Sequence, residues 1–426
     1  MTQDRPARLR FYQFSVRTLL AIVLLVSIAL SWFCTNMYRA MQQRQAVVAI
    51  QALDGRVEYD FPPDRDPDLT SPPLCDWLYS VRSVGLADSL PSEPSGARGA
   101  SPTETPTGLT DSDLRHLSAL RGLRDLSVAS SGVTDAGLEH LKGLTSLVVL
   151  YLHGDGITDA GLEHLTALTS LRLLYLEHTR ITGAGLEHLA RMTQLAELNL
   201  NDTPMTDDGL AHLAALEGLQ HLELRKTRIG DAGMEHLRGL TQLRRLDLSF
   251  TQVGDAGLVH LEGMTQLEEL SLDNTRVTGP GLAHLKGLTR LHYVRLQGAP
   301  VTDAGLEHLT GMTSLPALCL DVTRVTDAGL EHLKGMTSLQ ALSLGRTGVT
   351  DAGLKHLKGL TGLQSLRLEG TRVTVAGLRN LEGMKSLKTL RVSWQAVGPT
   401  AAKELQKLLK CQISLSDWPT PPSPPR

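Results

Sequence analysis

Aromatic residues make up only 4% of this chain, so a core built on stacked rings is not available to it. Cysteine is as sparse: Cys34, Cys75, Cys319 and Cys411 are the whole complement. No two stand at metal-ligand spacing and no run forms a disulfide framework, which excludes a zinc module and a disulfide-stapled scaffold. Cys34 closes an apolar run, but Ser31, Trp32 and Phe33 before it are too bulky for a lipoprotein signal. Net charge is low, -3, and leaves no electrostatic footprint for nucleic acid, which is not expected as a partner. Catalytic signatures are missing too: there is no Gly-x-Ser-x-Gly, no phosphate-cradling glycine loop and no His-Glu-x-x-His. The expectation is a chain that is not an enzyme, with no cofactor, no metal and no small-molecule substrate.

What the chain has is leucine in a fixed rhythm. Aligned on Thr-Asp-Ala-Gly-Leu, units begin at residues 110, 134, 158, 182, 206, 230, 254, 278, 302, 326, 350 and 374, and every step is 24. These are numbered below as coils 1 to 12. A length of 426 residues would by itself suggest two or three domains, but a repeat array grows without one central core. Within one unit, Leu150 and Leu152 alternate, so both point the same way from a strand and into the coil. Leu138, Leu141 and Leu144 recur every third residue, as on the inner face of a short helix. Asp135, just ahead of that helix, is placed to cap its free N–H groups. A single unit has too little to bury and must stack on its neighbours to fold.

A second ladder follows the strand: Ser131, Asp155, Thr179, Thr203, Thr227, Thr251, Thr275, Ala299, Thr323, Thr347, Thr371 and Gln395. A Thr hydroxyl both donates and accepts, so it is expected to bond the backbone of the adjoining coil. Ala299 has no hydroxyl, and a weak point or bend is expected there.

The run Leu147-x-x-Leu150-x-Leu152 is the strand half of a leucine-rich repeat. The units resemble the cysteine-containing class of leucine-rich repeats, found in substrate-recognition subunits of ubiquitin ligases, with Thr in place of Cys. The whole chain is more similar to bacterial proteins that carry an anchor, here Phe14-Ser-Val-Arg-Thr-Leu-Leu20, ahead of Thr-Asp-Ala-Gly-Leu repeats. The resemblance implies an α/β fold, a leucine-rich-repeat solenoid or horseshoe of about 12 repeats, preceded by one transmembrane helix. Its sheet would be parallel and concave, and its short helices convex. It implies little biochemistry, and no F-box-like segment precedes the repeats.

The N-terminus reads as that anchor. Residues 1–17 are basic, with Arg5, Arg8, Arg10 and Arg17 against Asp4. Residues 18–38 are apolar and end near Trp32 and Tyr38; the uncharged stretch between Arg17 and Arg39 spans about 31 Å as a helix. Ala29-Leu30-Ser31 would serve a signal peptidase, the competing reading, but the chain stays helix-compatible up to Gly55. Arginines ahead of the span outnumber Arg39 and Arg44 behind it. That bias predicts a cytoplasmic N-terminus and a single-pass membrane protein with periplasmic repeats. Residues 39–86 then hold a juxtamembrane helix and a cap region that includes Trp77, and residues 87–109 a flexible Pro/Ser-rich insertion. The repeats fill 110–397, a C-terminal cap 398–416 and a Pro-rich tail 417–426.

Strand positions that point away from the leucines are the expected partner surface. Coils 2 and 3 supply Tyr151, His153, Tyr175 and Glu177, and coil 4 Asn199. Coil 5 supplies His221, Glu223 and Arg225, and coil 6 Arg245 and Asp247. Coils 7 and 8 supply Glu269, Asp273, Tyr293 and Arg295, and beyond Ala317 the side chains become smaller. At about 4.8 Å per strand the face runs some 50–60 Å, enough for an interface of about 800 Å² per partner.

Two further patterns invite chemistry. A histidine recurs once per unit from His116 to His356. A metal-binding ridge would need convergent ligands, which one histidine per coil does not supply, so a structural role is expected. Arginine recurs every second unit at Arg180, Arg228, Arg276, Arg324 and Arg372, and is expected to pair with acids such as Asp231 and Asp327. The leading expectation is a membrane-tethered module that binds a protein partner on its concave face. The alternatives are a structural envelope spacer without a dedicated ligand and a cytoplasmic ubiquitin-ligase-like substrate adaptor.

Overall fold

Leucines three residues apart suit the 3-10 helix, in which side chains at i and i+3 lie in line. The coils of this protein use that turn heavily. In the computed structural model, which describes residues 16–59, 81–87 and 109–416, Asp159–Leu165, Ala184–Leu189 and Gly257–Leu261 are 3-10 helices. In other coils one α turn, such as Asp135–Leu138, hands over to 3-10 at Glu139–Leu141, while Asp303–Glu307 and Asp327–His332 are α turns alone. The basic segment ahead of Val16, the loop after Asp60, Trp77, most of the 87–109 insertion and the 417–426 tail lie outside the described residues.

Among the described residues the strands form one 15-stranded sheet in which each strand neighbours the next in sequence. The first pair, Arg56–Tyr59 with Val81–Ala87, is antiparallel. All later pairs are parallel and hold one register, so Leu126 faces Leu150, Leu150 faces Leu174 and Leu174 faces Leu198. Identical positions of successive repeats therefore stack into columns. Leu138, Leu141, Leu144, Leu147 and Leu150 are fully buried, and their equivalents continue as one aliphatic core from Leu114 to Leu409. Strands occupy one side of every coil and helical turns the other, the arrangement that gives a solenoid its concave sheet.

Two expectations about polar groups need correction. Asp135 does not cap its own helix, because Thr134 does so by accepting from the Ala136 N–H at 3.3 Å. The Asp135 carboxylate reaches forward to the next coil and accepts from the Thr158 N–H and hydroxyl. The same clamp joins Asp111 to Thr134, Asp303 to Thr326, Asp327 to Thr350 and Asp351 to Thr374. A carboxylate one turn from the coil junction has two acceptor oxygens to offer, and the junction has two donors. In coils 4 and 8 the Asp position is Gly183 or Gly279, and there the backbones close up instead. A Cβ on Gly183 would lie 2.4 Å from the Gly209 Cα, and one on Gly279 would lie 2.2 Å from the Gly305 Cα.

The Thr ladder also bonds differently from expectation. Thr179, Thr227, Thr275 and Thr323 each donate to the carbonyl three residues earlier in their own coil, at 2.7–2.8 Å. They close the turn after the strand and do not bridge coils. In the first coil Ser130, next to the expected Ser131, is the buried member and donates to the Leu109 carbonyl. At Ala299 the sheet register runs on without a shift, and the Ala299 N–H bonds the Leu296 carbonyl.

One helix, α1, runs unbroken through Val16–Ala52. Its part from Leu20 is long and apolar enough to cross a membrane by length and composition. Its last turns do other work: Ala46, Val47 and Ile50 are buried in the same core as Leu114 and Leu117. At the far end, a second helix, α2 (Trp394–Leu409), breaks at Gly398, whose φ of 65° precedes Pro399. Gly398, with its non-helical φ and ψ, separates two helical pieces, the second of which opens at Pro399. Val397, Ala402 and Leu405 close the core, and strand Gln412–Ser416 pairs with Thr389–Ser393.

Candidate interaction surface

Because the register never slips, every outward strand position shares a row with its equivalents. One row runs Tyr151, Tyr175, Asn199, Glu223, Asp247 and on to Arg295. The sheet face divides into zones along this axis. In coils 2 and 3 the Tyr151 and Tyr175 rings stack with centroids 4.1 Å apart and planes 5° apart, beside half-buried Val149 and Leu173. Burial, with Tyr151 and Glu197 as neighbours, pushes the Tyr175 phenol well above its ordinary range, so it stays protonated. His153, in the same zone, lies 4.8 Å from the His178 ring.

The middle zone is a charged lattice. His221 Nδ1 lies 3.3 Å from Glu197, Arg245 Nε 2.8 Å from Glu269, and Asn199 donates to Glu177 at 3.2 Å. Arg295 pairs with the buried Asp273. Carboxylates outnumber their partners here. Burial and the charge of Asp247 raise the Glu223 pKa, against hydrogen bonding from Asn201. Burial likewise raises Asp273 despite Arg295 beside it. Arg225 crosses to the rim and stacks over Phe250, 4.4 Å from the ring centroid.

Beyond coil 8 the face falls away to Ala317, Cys319, Ala341, Ser343 and Gly345. Burial and the adjacent Asp321 carboxylate push the Cys319 thiol up to about 11, so it is not a thiolate at neutral pH. Asp321 is buried and accepts from the Ser343 hydroxyl at 2.5 Å and the Gly345 N–H at 2.6 Å. Arg367 Nε stands 3.5 Å from buried Glu369 without hydrogen-bond alignment, beside a notch of about 20 Å³.

The fourteen expected partner residues thus lie on the strands of one continuous sheet or, for Glu177, Arg225 and Asp273, just beyond them, but they are unequally exposed. Tyr151, His153 and Arg245 are exposed, whereas Asn199 and Asp273 are buried. Phe250, Val322 and Asp321 were not singled out by the sequence. The first two occupy one phase of the repeat that in coils 1 to 11 is otherwise polar or glycine, and that substitution pattern is the signal that marks them. The arginine column pairs with other groups than expected: Arg180 with Asp155 at 3.1 Å, and Arg276 with Gln252 at 3.0 Å. Asp231 and Asp327 are occupied as clamps to the next coil. The repeated histidines are half-buried on the helical side, as at His140 and His164, and His284 bonds Glu262 at 2.6 Å. Among the described residues no group of three or more His, Cys, Asp or Glu is arranged to hold a metal ion.

The family described as a leucine-rich repeat region matches residues 105–356. The chain belongs to the leucine-rich-repeat family. Among solved structures, this leucine-rich-repeat chain is similar to an internalin from Listeria monocytogenes at 21% identity and a TM-score of 0.55. That match covers 82% of this chain and 94% of the internalin chain. It is also similar to a leucine-rich-repeat protein of Leptospira interrogans at 19% identity and a TM-score of 0.49, over 70% of this chain and 86% of the other. At 21% identity the likeness to the internalin speaks for the fold alone. No curated protein matches the chain.

Proposed function

We propose that this chain is a membrane-tethered interaction module of a bacterial envelope, and that it holds a protein partner across the sheet face of coils 2 to 8. The observation that carries the reading is the half-exposed Tyr151–Tyr175 stack continuing, in register, into the charged rows from Glu197 to Arg295. Large rigid aromatics beside arginines are what interface hot spots use, and a sheet fixed by its own ladder spends little entropy on presenting them. The small side chains after Ala317 make the far end a poorer grip.

The tether is α1. Residues 18–38 cross the inner membrane, with the N-terminal arginines inside and the repeats on the periplasmic side. Ala46, eight residues beyond Tyr38, is already in the solenoid core, a rise of about 12 Å along the helix. The first coil therefore stands close to the bilayer surface. The repeats belong with the Thr-Asp-Ala-Gly-Leu type, in which Thr takes the place of Cys.

Protease added to intact spheroplasts tests the placement: digestion from outside agrees with it, and protection until lysis contradicts it. Alanine at Tyr175 and Tyr293 together tests the surface. Loss of saturable partner binding is expected, while unchanged binding would leave a spacer as the better description.

A further inference from the structure

After the strands of coils 3 to 10 the chain makes the same turn, with one residue in the left-handed region, one buried residue, then one facing outward. His178, Asp202, Lys226 and Arg346 fill the left-handed position in coils 3, 4, 5 and 10. The left-handed member is Asn274 in coil 7 and Gly298 in coil 8, residue types that tolerate this conformation. In coils 6 and 9 it is Phe250 and Val322, each at φ 60°. A bulky or β-branched side chain is strained there. Both are also among the most exposed apolar residues of the solenoid, at 41% and 44%. Neither strain nor exposure helps the fold.

The outward residues on the same edge include Arg228, Arg276, Arg324 and Arg372. The backbone N–H of each bonds a carbonyl of the preceding coil, on Met205, Val253, Val301 and Val349, at 2.8–3.2 Å. These arginines therefore sit on every second rung of a fixed ladder, about 9.6 Å apart. Across coils 5 to 11, from Lys226 to Arg372, the residues flanking the buried turn position include no Asp or Glu. The nearby Asp231, Asp255, Asp327 and Asp351 are taken up as clamps to the next coil. The adjoining sheet face is the acidic one, with Glu223, Asp247, Glu269 and Asp273.

We propose that this edge is a second docking surface, for an acidic protein segment that also carries apolar side chains. Carboxylates three residues apart on a polyproline II segment fall on one side of it and repeat at about 9.3 Å, close to the spacing of the arginine rungs. Phe250 and Val322 add apolar anchors among the cations, which a polyphosphate could not use. Arg225, stacked on Phe250, holds that ring in place.

The full-length protein in lipid nanodiscs is titrated with three probes. One is a Pro-rich synthetic peptide that holds polyproline II, with Glu at every third position and Leu among the prolines between, one its Lys counterpart, and one inorganic polyphosphate. Saturable binding of the Glu peptide alone is expected. The double substitution R276E/R324E weakens it roughly tenfold or more, and F250N/V322N weakens it while raising the melting temperature, because Asn suits the left-handed turn. Alanine at Tyr175 and Tyr293 on the sheet face leaves it unchanged. The proposal is overturned if the Lys peptide binds as well, or if either double variant binds as the parent does. It is equally overturned if polyphosphate binds as tightly regardless of F250N/V322N, or if the sheet-face substitutions abolish peptide binding.

Discussion

Asp135 holds Thr158, one coil ahead, through two hydrogen bonds: the Thr158 N–H donates to one carboxylate oxygen at 2.8 Å and its hydroxyl to the other at 2.6 Å. Repeated along the solenoid, this pair supplies what a short helical turn cannot, a polar lock between coils whose leucines are otherwise interchangeable. Asp135→Ala is expected to cost about 2 kcal/mol by leaving the N–H without its partner, and Thr158→Val about 1 kcal/mol. Urea unfolding of the two variants checks both values.

Where the Thr is missing, the clamp can be completed. Gly230 gives only its N–H to Asp207, and a Cβ there would stand 3.6 Å from Asp207 Oδ2, an ordinary contact. Gly230→Thr should therefore stabilise by about 1 kcal/mol, from the added hydrogen bond and a less flexible unfolded chain. Ala299→Thr should gain about as much by donating to the Leu296 carbonyl, as Thr275 does to Leu272. Unchanged midpoints would show that these turns are already satisfied.

Two of the clamps also tie stability to pH. At Asp159, burial raises the pKa, but the Thr182 hydroxyl and the N–H groups of Gly185, Thr182 and Gly183 outweigh it and hold the carboxyl below its ordinary value; Asp255 behaves the same way. A lowered folded pKa gives stability that is present above the unfolded value of about 3.9 and is lost as pH falls through the folded one. Asp159→Asn should be less stable than the parent at pH 7, with the gap narrowing below about pH 4. A gap that persists in acid would deny the carboxylate its role.

The solenoid was legible in the sequence because its cause is periodic: the 24-residue step fixes which leucines stack, and parallel pairing in register follows. The partners of the polar groups were not legible. Asp135 and Thr158 are 23 residues apart, and only the assembled coil shows that a residue at a helix start faces the next coil and not its own N–H groups. Of the interaction surface, the alternation of Leu150 and Leu152 reveals which residues face outward. It does not reveal that Asn199 and Asp273 are covered by their neighbours, nor that Phe250 sits in a left-handed turn.

Glu223 carries the opposite sign. Burial and Asp247 raise its folded pKa, so its charged form weighs against the fold at pH values above that point, and the penalty vanishes below the unfolded value of about 4.3. Glu223→Gln should raise the melting temperature at pH 7 and make no difference near pH 4. A lower melting temperature at pH 7 would mean that the charge is needed by its neighbours.

If the sheet face carries the partner, site-specific photocrosslinking in living cells will trap it there. A photoreactive residue is placed at Tyr175 on the sheet face, and in a parallel strain at Glu163 on the helical side. Position 175 should give one discrete, saturable adduct and position 163 none. Equal adducts from both positions, or an adduct from position 163 alone, would contradict that placement.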